Sequence, residues 1–299
     1  MSKLIGILNK LTVLLGMVLA PIVYIAGRLL SVKVLRDLSA KLDPQNIRFL
    51  SAAINTNQSR SPIDHFGIAA MLASKANYET ANKIKYLLPI SESQLLQDVF
   101  CALALNEKRN GFFVEVGVGS GRAISNTYML EKHYGWNGLL VEPNRSSHES
   151  IAECRSARLE KRAAASKSGE TLNFEELIDA GEHSRIVGTG GHTMPGARRT
   201  VYEVQTITLT EILDQNNAPK EIDFLSLDTE GSELDILRGV DFGKYEFSII
   251  VVEHNYNKKT MNSLNEILCN QGYALVLPEI SQFDAWYINK KINIESFFL

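Results

Sequence analysis

The sequence predicts an α/β fold: a mostly parallel sheet with helices on both faces, an antiparallel terminal hairpin, and a helical extension ahead of it. Three observations predict this. From Gly111 onward, short apolar runs alternate with helical segments, the pattern of βαβ units. Those runs end in glycines or acids, at the sheet edge where such folds bind ligands. The last two runs, 273–277 and 283–289, lie close together and can pair as a hairpin.

Residues 112–116 (FFVEV) read as a buried first strand. A helical segment follows to about Tyr134, closed by Gly135. Residues 138–142 (GLLVE) form the second strand and 158–164 a weaker third. Residues 222–228 (IDFLSLD) form a fourth, followed by a helix over 232–238 that stops at Gly239. Residues 247–253 (FSIIVVE) form a fifth, followed by a helix over 258–271 that stops at Gly272. Ahead of the first strand, 36–107 reads as helical. Its best-defined piece is 91–109, where Ser91 and Gln94 have capping-box spacing and Leu95, Val99 and Leu103 share a face. The chain therefore divides into an apolar segment (1–35), a helical extension (36–110) and an α/β domain (111–299).

The 299 residues carry a net charge of −3, which argues against binding nucleic acid through general electropositivity. Cys101, Cys154 and Cys269 are far apart and unpatterned, so they indicate neither a zinc site nor a disulfide framework. Residues 11–27 are uncharged and would span about 25 Å as a helix, against roughly 30 Å of hydrocarbon core. Residues 4–30 thus read either as a membrane anchor or as a helix packed on the protein's own body. The chain is then cytoplasmic or held on the cytoplasmic side of a membrane.

The strand ends carry the chemistry. After the first strand, Glu115 leads into Gly117, Gly119 and Gly121, which let the backbone turn sharply and approach a ligand. Arg122 stands where a dinucleotide fingerprint needs its third glycine, which disfavours a nicotinamide cofactor. Glu142 ends the second strand, placed to accept bonds from both hydroxyls of a ribose. Asp228, Glu230 and Glu233 follow the fourth strand; Glu233 suits a helix cap and Asp228 faces the crevice. Glu253, His254 and Asn255 end the fifth, offering a base or a ligand set. The connection 181–199 is rich in glycine and reads as a lid, an acceptor-binding loop or a plain surface loop. Arg198 and Arg199 there could hold an acidic group of an acceptor, while His183 and His192 lack a metal-binding spacing.

Together VEVGVGSGRAISNTYMLEK, GWNGLLVEPN, DFLSLDTEGSELDILRG and IIVVEHN resemble the class I S-adenosylmethionine-dependent methyltransferases, and among them the FkbM family. The resemblance covers about 111–290. It implies a Rossmann-like methyltransferase fold with a seven-stranded sheet, and methyl transfer to oxygen on a sugar, glycan or natural product. It implies that Glu115, Gly117, Gly119 and Gly121 lie against the methionine end of S-adenosylmethionine, that Ser125, Asn126 and Thr127 help close that pocket, that Glu142 holds the ribose, and that Asp228 lies next to the sulfonium. The third strand lacks a terminal acid for the adenine amino group, so that contact stays open.

His254 is the first choice of base, with Asp228 or Glu230 orienting the acceptor hydroxyl; direct deprotonation by Asp228 is the alternative. A divalent cation on Asp228, Glu253 and Asn255 is a third, less favoured version, and no metal ligand is assigned. The acceptor is a small molecule or glycan. The rival reading is a methyltransferase-like binding or scaffold module without turnover. If 4–30 is an anchor, the full chain sediments with membranes and a chain lacking residues 1–30 stays in the supernatant after detergent-free fractionation.

Overall fold

The computed structural model describes residues 62–76, 78–190 and 194–293. The apolar segment 1–35, its membrane reading and the extension up to residue 61 lie outside these. No helix among the described residues is long and apolar enough to cross a membrane. The chain divides into two compact units, 1–91 with 295–299, and 92–294. In the first, helices α1 (Pro62–Lys75) and α2 (Tyr78–Leu87) lead into a single 3-10 turn, Leu88–Ile90.

The second unit opens with α3 (Gln97–Ala104), shorter than the helix expected over 91–109. Leu96 is left-handed at φ +62°, a conformation no helix interior accepts. The carboxylate of Asp98 accepts bonds from the backbone N–H groups of Glu92 and Ser93 and from the Ser93 hydroxyl. Asp98 therefore organises this entry, and the Ser91–Gln94 spacing starts no helix. The helix stops at Ala104, and positive φ at Asn106 and Glu107 keeps the chain off a helical path before Arg109.

Seven strands form the main sheet: β1 (Phe112–Val116), β2 (Asn137–Val141), β3 (Arg158–Glu160), β8 (Glu221–Leu227), β9 (Glu246–Glu253), β10 (Tyr273–Val276) and β11 (Asp284–Asn289). Their order is β10-β11-β9-β8-β1-β2-β3. β11 is antiparallel to β9 and β10, and the remaining pairs are parallel. Helices α4 (Tyr128–Tyr134), α5 (Ser147–Cys154), α6 (Leu209–Gln215), α7 (Glu233–Arg238) and α8 (Lys258–Asn270) connect them. The central strands read as mostly apolar runs because both faces are covered; Val114, Leu225, Leu227, Ile250 and Val252 are all buried in one core.

The expected third strand over 158–164 is split. β3 stays in the main sheet, while β4 (Ala163–Ala164) joins a second sheet of order β4-β7-β5-β6. That sheet, with β5 (Thr171–Leu177), β6 (Arg185–Ile186) and β7 (Arg199–Ile207), was not foreseen. Its inner face is small: Ala163, Phe174 and Val204, flanked by Leu172, Ile186 and Tyr202.

β1 does not lead straight into a helix. Residues 117–127 loop back over its end, held by the buried carboxylate of Glu115. It accepts from the Ser125 hydroxyl, the Asn126 N–H, the Thr127 hydroxyl and Arg155 Nη1. Arg155, whose side chain is fully buried, also donates to Gly121 O, Ser125 Oγ, Thr127 Oγ1 and, at 2.7 Å, Glu131. Burial alone would raise the Glu131 carboxyl, but the Ser156 N–H, Arg155 and Lys132 hold it below the usual range. Removing Arg155 takes the buried guanidinium from Glu115 and leaves Glu131 with Lys132 alone. Arg155→Ala should lower unfolding free energy by about 3–5 kcal/mol. Arg122→Ala, which breaks an exposed pair with Glu92, should cost about 1 kcal/mol or less. Urea denaturation of both variants checks the contrast.

Candidate functional site

A cleft with about 740 Å³ of empty space, part of it open to solvent, lies at the carboxyl ends of β1, β2 and β8. The loop after β1 (Gly117–Gly119), Glu142 and Pro143 after β2, and Asp228 and Thr229 after β8 form its floor and one side. The second sheet supplies the opposite wall through Ala163, Phe174 and Ile186.

The three glycines do different things. Gly117 (φ +83°) packs so tightly that an added Cβ would lie 1.7 Å from the Asp228 carbonyl oxygen. Its N–H donates to Val141 O, and the Asp228 N–H donates to Val116 O, so this point locks three strand ends together. Gly119 (φ +55°) has no atom within 4 Å of its missing Cβ and faces open space. Gly121 is not among the cleft-lining residues; it packs against Ile151 and Cys154 of α5.

The acids are mostly engaged by the protein itself. Glu142 accepts the Val118 and Gly119 N–H groups on one oxygen, each at 2.9 Å, and the Asn144 N–H on the other. Burial raises its carboxyl and these three donors pull it back. Glu115 lines the cleft, but its carboxylate is the anchor of the loop network. Asn126 donates from Nδ2 to Ser226 Oγ at 2.9 Å, and its Oδ1 is buried with no hydrogen-bond partner. Asn126 also lines the cleft. A buried acceptor left unbonded at a cleft floor marks a place where a donor belongs.

Asp228 reaches the cleft half-buried. Burial, with Asp284, Glu233 and Glu230 nearby, raises its carboxyl well above the usual range, while a hydrogen bond with Glu253 works the other way. Glu253, buried beside Asp228, is raised as well, by burial and by the surrounding acids. Glu233 behaves as the expected cap, accepting the Thr229 and Gly231 N–H groups and the Thr229 hydroxyl.

His254 does not line the cleft. Its Nε2 donates to the Asp284 carbonyl at 3.0 Å, and its backbone N–H to Phe283 O. Its Nδ1 is buried without a partner, and burial lowers its basicity. Glu230 is also buried and outside the lining, with a left-handed backbone (φ +58°). It meets His183 Nδ1 at 2.6 Å, a contact between residues that sequence spacing could not connect. Among the described residues no three His, Cys, Asp or Glu side chains converge as metal ligands.

The described part of the glycine-rich connection is packed against the site. It contains a 3-10 turn, Gly181–His183, and β6. Gly181, Glu182, Ser184 and Arg185 line the cleft. Asn144 Nδ2 donates to Ser184 Oγ, and Gly190 sits so close to Gly231 that a Cβ there would lie 2.7 Å from the Gly190 nitrogen. Arg198 and Arg199 are not cleft residues; they pair with Asp179 and Glu175.

A family model described as Methyltransferase FkbM domain matches residues 115–275. No curated protein sequence matches the chain. Among solved structures, the chain is similar to a precorrin-6y C5,15-methyltransferase from Geobacter metallireducens at 14% identity and TM-score 0.37, over 67% of this chain and 88% of that one. A methyltransferase from Pyrococcus furiosus matches at 13% identity and TM-score 0.34, over 69% and 83%. A SAM-dependent methyltransferase from Aquifex aeolicus matches at 10% identity and TM-score 0.31, over 70% and 97%.

The two cleft glycines predict separable costs. Gly117→Ala forces a side chain into the Asp228 backbone and should prevent stable folding. Gly119→Ala meets no neighbour, and should cost only the left-handed strain of about 1–2 kcal/mol. Thermal unfolding of the two variants checks this.

Proposed function

The chain belongs to the FkbM methyltransferase family, and on that premise we propose that it is an S-adenosylmethionine-dependent O-methyltransferase acting on a hydroxyl of a sugar, glycan or natural product. The observation that carries the cofactor assignment is Asn126 Oδ1, buried, unpartnered and on the cleft lining. The α-ammonium of S-adenosylmethionine is a donor suited to it. Other residues fit the same ligand. Glu142 keeps acceptor capacity on both oxygens beyond its three N–H bonds, enough for two ribose hydroxyls. Ala163, Phe174 and Ile186 offer an apolar wall against which an adenine ring would be shielded from water; β3 ends earlier than the sequence predicts, in the acid Glu160, which is paired with Arg162 and is not on the lining. The open side of Gly119 leaves room for the ligand where any side chain would intrude.

When bound, S-adenosylmethionine supplies an activated methyl group. The protein's part is to align the acceptor oxygen with that methyl and keep the pocket dry. Asp228 is the acid on the cleft floor, and its carboxylate would orient the acceptor hydroxyl. An uncharged hydroxyl needs no cationic cleft, in keeping with the chain's net charge of −3.

Calorimetry should show binding of S-adenosylmethionine and S-adenosylhomocysteine. Asn126→Leu and Glu142→Ala should each weaken it about 10-fold or more, the loss of a charge-assisted hydrogen bond. Tritiated-methyl transfer to cell extract, separated into lipid and water-soluble glycan pools, should label one of them. Binding without label in any pool would favour the scaffold reading; no binding would remove the cofactor assignment.

A further inference from the structure

We propose that Glu182 and Ser184 read the base of the bound nucleoside as adenine, the Glu182 carboxylate accepting from its exocyclic amino group and the Ser184 hydroxyl donating to a ring nitrogen beside it. This rests on the S-adenosylmethionine reading above and assigns the contact that reading leaves open. The turn that carries these residues adjoins the loop that would hold the ribose. Asn144, two residues after Glu142, donates from Nδ2 to Ser184 Oγ at 3.3 Å, and a Cβ on Gly181 would meet the same Nδ2 at 3.5 Å. The other end of the turn is tied to the loop after β8, through His183 Nδ1 and Glu230 at 2.6 Å. Ser184 is extended (φ −69°, ψ 142°), so it shares a strand face with Ile186 of β6. Glu182, Ser184 and Ile186 all line the cleft. A base resting on the apolar wall of Ile186 and Phe174 therefore has polar groups of the same segment at its edge.

Those polar groups have the character adenine requires. Ser184 Oγ accepts from the Leu177 N–H at 3.0 Å and from Asn144 Nδ2. Both lone pairs of the hydroxyl are thereby engaged, and its hydrogen meets no acceptor among the described residues. The hydroxyl is left as a donor. Glu182 accepts no hydrogen bond and enters no ion pair among the described residues; it acts on the neighbouring His183 through its charge. A carboxylate accepts and does not donate. Adenine offers the complement, an amino group that donates and flanking ring nitrogens that accept. Hypoxanthine, with an oxygen in place of the amino group, turns an acceptor toward the acid. The remaining acids of the lining are engaged elsewhere. Glu115 is closed within the loop network, Glu142 stands at the ribose position, and Asp228 lies on the floor after β8. Glu160 is held by Arg162 off the lining. Glu182 is thus the acid that remains on the side of the cleft built by the second sheet.

Calorimetry on the full-length chain gives a readout independent of turnover. Its two probes are S-adenosylhomocysteine and S-inosylhomocysteine, which carry an amino group and an oxygen at the same ring position. The wild type should favour the adenosyl ligand about 10-fold or more, as expected for a hydrogen bond to a charged group. Glu182→Ala should reduce that ratio about 10-fold, and its melting temperature should match the wild type because the residue is exposed. Glu182→Gln should reduce the ratio as well, since its amide can donate to the inosyl oxygen. Loss of negative charge alone moves both affinities together and leaves the ratio unchanged. Glu149→Ala, on an exposed position of α5 off the lining, should show that behaviour. Carbon in place of one of the two ring nitrogens that flank the amino group should weaken binding about fivefold, and in place of the other should not. Equal binding of both probes by the wild type, or a wild-type ratio in Glu182→Ala, would overturn the assignment while leaving the methyltransferase reading intact. Indifference to both ring substitutions would overturn the part given to Ser184. A wild type that binds neither probe would end both readings.

Discussion

The site depends on how one buried carboxylate, Glu115, is satisfied. It sits near the end of the central strand, where a carboxylate without donors would be costly. The chain meets this by folding residues 117–127 back over the strand end, so that two hydroxyls and a backbone N–H point at it. Arg155 supplies the countercharge and ties Glu131 and the Gly121 carbonyl into the same network. Three consequences follow for the cleft. Helix α4 begins only at Tyr128. The glycine loop is tied at its far end to Arg155 through the Gly121 carbonyl. Asn126 uses its N–H on Glu115 and its Nδ2 on Ser226, so Oδ1 alone is presented. An acceptor held this firmly loses little entropy when a donor arrives, which is what preorganisation means in a binding site.

The second constraint is crowding of acids beyond β8 and β9. Asp228, Glu253, Asp284 and Glu233 raise one another's proton affinity, and the fold relieves each in a different way. Glu233 is surrounded by N–H donors. Asp284 accepts from Gln97 Nε2 at 2.7 Å, though burial still pushes its carboxyl up to about 7. Glu253 stands beside Asp228 and is the least relieved, its Oε2 buried without a hydrogen-bond partner. Asp228 alone among these lines the cleft, so the negative charge of the cluster is expressed toward one opening. A sulfonium arriving there would relieve the repulsion that raises these carboxyls, whereas an anionic ligand would increase it.

The sequence reveals most of the main sheet because β1, β8 and β9 are covered on both faces and so are mostly apolar. The acids and glycines at their ends are legible for the same reason, since topology places every such end on one edge. The second sheet escapes notice because it buries only one face. In β7, Tyr202, Val204 and Thr206 turn inward while Val201, Glu203 and Gln205 are exposed; in β5 the inward set is Leu172, Phe174 and Glu176. This is a period-two signal, diluted by polar members and interrupted by glycines. The helix entry at Asp98 was misread because capping-box spacing competes with an alternative five residues apart, Ser93 to Asp98. Arg155 carries no local sign of its role; its partners lie 24 to 40 residues away.

The two histidines show where reasoning from strand ends stops. His254 follows β9 directly, so topology brings it to the right edge of the sheet. But β9 is bordered by the antiparallel β11, and that strand's entry presents the Phe283 and Asp284 carbonyls to the His254 N–H and ring. The strand that completes the sheet therefore captures the residue that proximity nominates. His183 belongs to no strand of the main sheet. It reaches the acid loop because the inserted second sheet returns the chain to the cleft, and because Gly190 and Gly231 approach where side chains would collide. Nearness to a strand end places a backbone, but the function of an imidazole is set by which of its nitrogens is engaged. Against a carboxylate, as at His183, the ring gains a partner that stabilises its charged form. Against a carbonyl, as at His254, it gains only an anchor and burial makes it less basic.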